Sequence, residues 1–165
     1  LDTTMPSSAP RAQAASSEYA DAYAKTNDRS CVVRIDSPHG SALLTGDIEA
    51  RSENALVRTS SEALRADVML VPHHGSRTSS TLPFIRAVAP SLAIVPAGYR
   101  NRFGHPRADI VGRYAMRDFH VIRTDIAGAV TVVFDAGSPR EPQGARAQRP
   151  RYWRDAPAPR AATAE

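Results

Sequence analysis

Apolar residues fall into short blocks: CVVRI (31–35), ALLTG (42–46), DVMLVP (67–72), LAIVPAG (92–98), FHVIRT (119–124) and AVTVVF (129–134). Blocks of this length, rich in β-branched residues and bounded by Pro, Gly, Asp or Ser, predict strands rather than helices. The first two are separated by DSPHGS (36–41), a turn that predicts a β-hairpin. The last two are separated by DIAG (125–128), with its turn glycine. Elsewhere the intervals carry helical spacing. IEARSENALVRTSSEAL (48–64) offers Ile48, Ala55 and Leu56 to one face, and RADIVGRYAMRD (107–118) offers Ile110, Val111 and Tyr114. SSTLPFIRAVAP (79–90) predicts a helix capped by Ser79 or Ser80 and stopped by Pro90. A hairpin followed by alternating helices and strands predicts an α/β fold with a mixed sheet covered by helices.

Three regions follow. Residues 1–30 read as a flexible linker or loop with one weak helical turn at Tyr19–Ala24; 31–135 form the folded domain; 136–165, rich in Arg, Pro and Ala, read as a disordered tail. At 165 residues and 42% hydrophobic the chain suits one domain with a real core. Of the net charge of +4, residues 136–165 carry +3, so the body is nearly neutral and basicity points only weakly to nucleic acid. The single cysteine, Cys31, excludes a disulfide framework and a thiolate metal cluster, and its setting predicts a small buried apolar role. No window reaches the roughly 18 continuous apolar residues of a membrane span, and no signal-peptide pattern opens the chain. It opens on Leu, so a piece of a longer protein is expected.

Chemistry gathers where strand candidates end: Thr45-Gly46-Asp47, Pro72-His73-His74-Gly75-Ser76, and the loop AGYRNRFGHPR (97–107) with Asn101 and His105. In open α/β sheets such ends meet along one edge. If these strands are neighbours, one Asp and two or three His converge there, a natural ligand set for zinc or manganese. Each residue has a plainer reading. Asp47 could cap the following helix, with Glu49 in its first turn. On an extended backbone His73 and His74 would point opposite ways, leaving one as ligand and the other to orient it or touch substrate. His39, in the hairpin turn, and His120, inside a strand, read as structural. Ser76, Thr78, Ser79 and Ser80 could donate to a phosphate or simply cap a helix. Arg77, Arg100, Arg102 and Arg107 share the histidine loops, where guanidinium groups suit phosphodiester oxygens. Tyr99 and Phe103 are the aromatic residues beside them.

Together NDRSCVVRID, ALLTGDIE, ADVMLVPHHGSRTSS, VAPSLAIVPAGYRNRFGHP and VIRTDIAGAVTV, spread over residues 27–134, resemble the C-terminal metallo-β-lactamase-like domain of the ComEC family of DNA-uptake channel proteins of natural competence. The resemblance implies the C-terminal half of an αββα sandwich. It also implies a metal-dependent nuclease, a phosphodiesterase that degrades the strand not imported. Asp47 matches a metal-bridging carboxylate, His73 and His74 a histidine ligand position, and His105 a further active-site histidine; Asp47 and His105 are the catalytic candidates. Ser76, Arg77, Asn101 and Arg102 are the candidate substrate-binding residues.

Two zinc or manganese ions and DNA are the implied cofactors and partner. The chain lacks the superfamily signature H-x-H-x-D-H. The missing N-terminal half and the membrane channel domain are therefore further expected partners, and inactivity alone is expected. The implied location is a soluble domain of an inner or plasma-membrane protein, on its outer side. Two other readings compete: a non-catalytic module that guides DNA, and another metallo-β-lactamase-like hydrolase acting on a small phosphoester or lactone.

Overall fold

The computed structural model of the chain describes residues 26–117, 119–136, 138, 139 and 141–149. Strands β1 (Val33–Ser37) and β2 (Gly40–Leu44) form the predicted hairpin, with Val33 opposite Leu44. β3 (Val68–Leu70), β4 (Leu92–Val95) and β5 (His120–Arg123) then add in parallel, giving a five-stranded mixed sheet in the order β1-β2-β3-β4-β5. Each parallel step is bridged by a helix: α1 (Ala50–Ser60), α2 (Leu82–Val88) and α3 (Ala108–Ala115). Crossovers of one hand, stepping one way along a sheet, place all their helices on the same face. The α/β class expected from the alternating pattern is the observed one.

The strand period of two decides which residues meet those helices. Leu43, Met69, Val71, Ala93 and Val95 turn toward them and pack in one buried cluster with Phe84, Ile85, Val88, Ile110 and Tyr114. The intervening Val68, Leu92 and Ile94 face the other way, with Leu70 and Ile122 beside them. Burial of the helix-side residues is nearly complete, and at roughly 1.5–3 kcal/mol per large apolar side chain this cluster dominates the stabilising side.

Beyond β5 the chain departs from the simple pattern. After the short α4 (Thr124–Ala127), AVTVVF does not form another strand of the main sheet. It makes only β6 (Val130–Thr131) and β7 (Phe134–Asp135), paired with β9 (Gln143–Gly144) and β8 (Ser138–Pro139). The reason lies in the sheet face that the helices leave uncovered: Val130, Val132 and Phe134 all pack across it, on Val68, Leu92 and Ile94.

Order therefore extends into the segment read as a tail. β9 leads into α5 (Ala145–Gln148), and the Arg146 guanidinium donates to the carbonyls of Asp125 and Ile126. At the other end the boundary lies before Cys31. Asn27–Arg29 form a 3₁₀ turn whose buried Asp28 accepts a 2.7 Å bond from Ser52 Oγ of α1. Cys31 is exposed, not buried as expected, because Val32 is the residue there that packs against the helix-side cluster. The helical turn expected at Tyr19–Ala24 lies outside the described residues, as does the chain from 150 on. No described helix is long and apolar enough to cross a membrane.

Candidate functional site

Because β2, β3 and β4 are parallel neighbours, the loops after them leave the sheet along one edge. Backbone bonds then tie these loops together. His73 N–H donates to Gly46 O at 3.0 Å, and Arg107 N–H donates to Gly75 O at 3.0 Å. Gly75 has φ +78°, and a Cβ there would stand 2.6 Å from Pro106 Cβ, so only glycine lets the second and third loops touch. Gly46 is equally constrained: its φ is +57° and a Cβ would meet Ser30 Cβ at 2.9 Å. Asp47 follows it, with its own N–H held by Ser30 Oγ at 3.1 Å. Asp47 is not the helix cap, since α1 begins at Ala50 with Glu49 in the N-cap position.

The two histidines do not sit on extended backbone. Pro72–Gly75 is a tight turn, and His73 (φ 48°, ψ 43°) and His74 (φ 55°, ψ 19°) are both left-handed. Such a conformation is costly for a residue with a Cβ and marks functional sites more often than ordinary turns. The opposed imidazoles expected from an extended strand are thereby overturned. The rings lie 6.3 Å apart, and His105 is 6.1 Å from His73 on its other side.

Their bonding differs. His74 Nδ1 lies 2.6 Å from Pro96 O, an acceptor only, so Nδ1 carries the proton. Its Nε2 faces Asp47 Oδ1 at 3.4 Å. In the neutral ring this sets a lone pair against a carboxylate, an arrangement that a cation between or beside them would relieve. His73 is bonded inside the protein at both nitrogens. Asn27 Nδ2 stands 3.4 Å from Nε2, while Thr78 Oγ1 lies 3.2 Å and Glu49 Oε1 3.6 Å from Nδ1. His105 Nδ1 is buried with no hydrogen-bond partner among the described residues. Burial, followed by electrostatic repulsion from His73, His74 and Arg107, holds the His105 imidazole below the usual histidine range.

The other sequence candidates are placed as follows. Asn101 is engaged by its own loop: Oδ1 accepts His105 N–H at 3.0 Å, and Nδ2 donates to Gly98 O at 3.1 Å and to His105 O. Ser76 is buried and shares a 3.1 Å bond with Thr78 Oγ1. Arg77 is exposed and lies 3.6 Å from Asp109. Arg102 lies over the Phe103 ring, 5.0 Å from its centroid. His39, in the β1–β2 turn, and His120, which starts β5, sit at the opposite edge of the sheet.

One buried group has no counterpart among the residues singled out from the sequence. Glu53 of α1 is fully buried, and its carboxylate accepts the backbone N–H groups of Ser80 and, at 2.7 Å, Thr81. It thus serves as the cap for α2, whose N-cap residue is Thr81 rather than Ser79 or Ser80. Ser80 has φ +61°, takes the Tyr114 hydroxyl at 2.9 Å on Oγ, and passes its carbonyl to Arg113 at 2.8 Å. Burial pushes the Glu53 carboxyl up, opposed in part by these bonds and by Arg113. The only sequence signal was a glutamate three positions before Leu56, indistinguishable from a surface helix residue.

The fold and this edge define a class: an α/β domain with a histidine–carboxylate group presented by the loops after three parallel strands. No family model matches the chain. Among known proteins it is 34% identical to Competence protein ComA of Neisseria gonorrhoeae over 135 residues, 79% of the chain but 19% of that protein. It is 34% identical to ComE operon protein 3 of Bacillus subtilis over 65% of the chain and 14% of the relative. With the Uncharacterized protein YcaI of Escherichia coli it shares 39% over 68% of the chain and 15% of the relative. The chain thus spans less than a fifth of the length of these relatives.

Proposed function

We propose that the chain is the C-terminal part of a metallo-β-lactamase-like domain in a DNA-uptake protein of the ComEC family, and that it contributes to a metal-dependent nuclease. The observation that carries this reading is the convergence of Asp47, His73, His74 and His105 on one edge, in a chain whose named relatives include competence proteins. All three crossover helices lie on one face of the sheet, while the other face is covered by the extended segment Val130–Phe134 packed on Val68, Leu92 and Ile94, a helix-on-one-side arrangement that fits half of an αββα sandwich.

The donor chemistry fits a divalent cation. Asp47 and His74 would hold it, because a metal-binding imidazole typically donates its other ring N–H to a carbonyl, as His74 does to Pro96. Among the described residues no group of three or more His, Cys, Asp or Glu is placed to hold a metal. The remaining ligands are therefore assigned to a segment outside them. When bound, a pair of zinc or manganese ions supplies Lewis acidity and an activated water for attack at phosphorus. The chain's own residues supply the rest. Asp47 would offer its carboxylate and His74 its Nε2 lone pair to such ions, while His73 braces the turn through Thr78 and Asn27. His105, whose imidazole burial holds below the usual histidine range, can take up a proton at the reacting oxygen. Ser76, Arg77, Asn101 and Arg102 shape and charge the approach, the arginines holding phosphates without reading sequence. The domain would sit on the outer side of the membrane that holds the channel.

The incomplete ligand group favours one second reading, a non-catalytic module that guides DNA. The two are separated by assaying divalent-cation-dependent cleavage of end-labelled DNA by a chain extended upstream through a complete ligand set. Cleavage lost in Asp47→Ala supports the nuclease; salt-sensitive DNA binding with no cleavage supports the guide.

A further inference from the structure

Beside the histidines lies a feature that the metal chemistry does not use. Loop 98–105 carries two of the largest exposed apolar side chains of the domain, Phe103 at 63% and Tyr99 at 51% exposure. Solvent gains nothing from an exposed phenyl ring, and exposed aromatics commonly mark a surface built for contact. This ring is also not loosely hung. Asn101 closes the loop on both sides of it, bonding Gly98 O, His105 N–H and His105 O. The Phe103 ring lies nearly parallel to His105, at 16° with centroids 6.1 Å apart. From His105 the rings continue to His73 at 6.1 Å and from there to His74 at 6.3 Å, so an unbroken file of rings joins Phe103 to the Asp47–His74 pair.

Guanidinium groups lie over the aromatic rings. Arg102 stands 5.0 Å from the Phe103 centroid, and Arg100 and Arg146 stand 5.2 and 4.8 Å from that of Tyr99. Aromatic faces interleaved with guanidinium groups are the recurring surface of proteins that hold single-stranded nucleic acid, the rings taking bases and the cations taking the backbone. A duplex keeps its bases stacked on one another and offers such a ring nothing. A strand with unpaired bases does.

We propose that Phe103, supported by Tyr99 and flanked by Arg102, is a stacking platform for an unpaired nucleobase of a DNA single strand, placed beside the histidine–carboxylate site so that the adjoining phosphate faces it. This rests on the reading of the site as one that acts on DNA, and it adds the state of the substrate: the strand arrives unpaired, and one base is held outside the reacting centre.

The test needs neither metal nor turnover. Binding of a labelled thymidine oligonucleotide and of an equally long strand of abasic sites is measured by fluorescence anisotropy on the full chain, at fixed salt. The two strands carry the same phosphates, so the ratio of their affinities isolates the bases. The wild-type chain should prefer the thymidine strand by about 5- to 100-fold, the range that loss of one base–aromatic contact represents. Phe103→Ala should erase the preference and leave abasic binding unchanged, while Phe103→Tyr should keep it. Because the side chain is exposed, the alanine variant should retain the wild-type unfolding midpoint. Equal affinity of the wild type for both strands, or a preference that survives in Phe103→Ala, overturns the platform and leaves the DNA reading standing. Failure to bind either strand overturns both.

Discussion

His74 and Asp47 face one another across 3.4 Å, Nε2 to Oδ1, while the other nitrogen of His74 is committed to the carbonyl of Pro96. His73, its neighbour in sequence, has both nitrogens engaged within the protein instead. Two adjacent imidazoles of identical chemistry are thus given different work by a turn that twists both into left-handed backbone.

The division predicts opposite phenotypes. His74→Ala should cut affinity for a divalent cation by more than the roughly 10- to 100-fold that loss of a mere supporting partner costs. His73→Ala should leave most of that affinity and instead lower stability by about 1 kcal/mol through its lost hydrogen bonds. Isothermal titration with zinc, and urea denaturation of each variant, separate the two.

Gly75 holds the histidine turn against Pro106. Gly75→Ala adds a Cβ 2.6 Å from Pro106 Cβ at a φ of +78°. Overpacking and the left-handed backbone together should cost about 2–4 kcal/mol. The lost Arg107-to-Gly75 bond should speed amide exchange at Arg107, read by NMR. An unchanged exchange rate there would detach the third loop from the other two.

Glu53 makes stability depend on pH. Burial raises its folded-state value above the ordinary 4.5, so the folded protein binds its proton more tightly than the unfolded chain does. Stability is therefore greatest below pH 4.5 as far as this group is concerned, and declines as pH rises from there through the folded value. Glu53→Gln should flatten that part of the profile, measured as unfolding free energy against pH. Glu53→Ala should cost about 1–3 kcal/mol by leaving the N–H groups of Ser80 and Thr81 unpaired.

Much of this architecture was legible in the chain. The hairpin, the later strands and the three helices follow from apolar periodicity, because each element buries one face and little else competes; that the later strands run parallel is known only from their pairing. The gathering of Asp47, His73, His74 and His105 followed from their places after strands, since parallel neighbours share an edge. What the pattern could not convey was tertiary. The Val130–Phe134 alternation reads as a sheet strand, and only the presence of a bare sheet face explains why it lies across that face instead. Glu53 looks like any helix glutamate until α2 is docked against it. The left-handed turn at His73 and His74 depends on contacts with Gly46 and Pro96 from other loops. Ser138–Pro139 and Gln143–Gly144 are held by pairing with Phe134–Asp135 and Val130–Thr131, which composition does not register.

Charge on the two histidine loops should appear as salt dependence. Arg77→Ala and Arg102→Ala should each lower the slope of log affinity against log salt for single-stranded DNA by up to about 0.7, the value for one phosphate contact on a single strand. The Arg77 effect should be the smaller, since Asp109 already lies beside it. A slope unchanged in both would remove these arginines from the DNA surface.

The most direct test of the shared site uses the five histidines as internal probes. Manganese titrated into the chain broadens NMR signals by proximity, even when binding is weak. His74, His73 and His105 should broaden at the lowest additions, with His39 and His120 at the far edge of the sheet still sharp, and Asp47→Ala should abolish the difference. Equal broadening of all five, or a pattern indifferent to Asp47, would contradict a cation site at this edge.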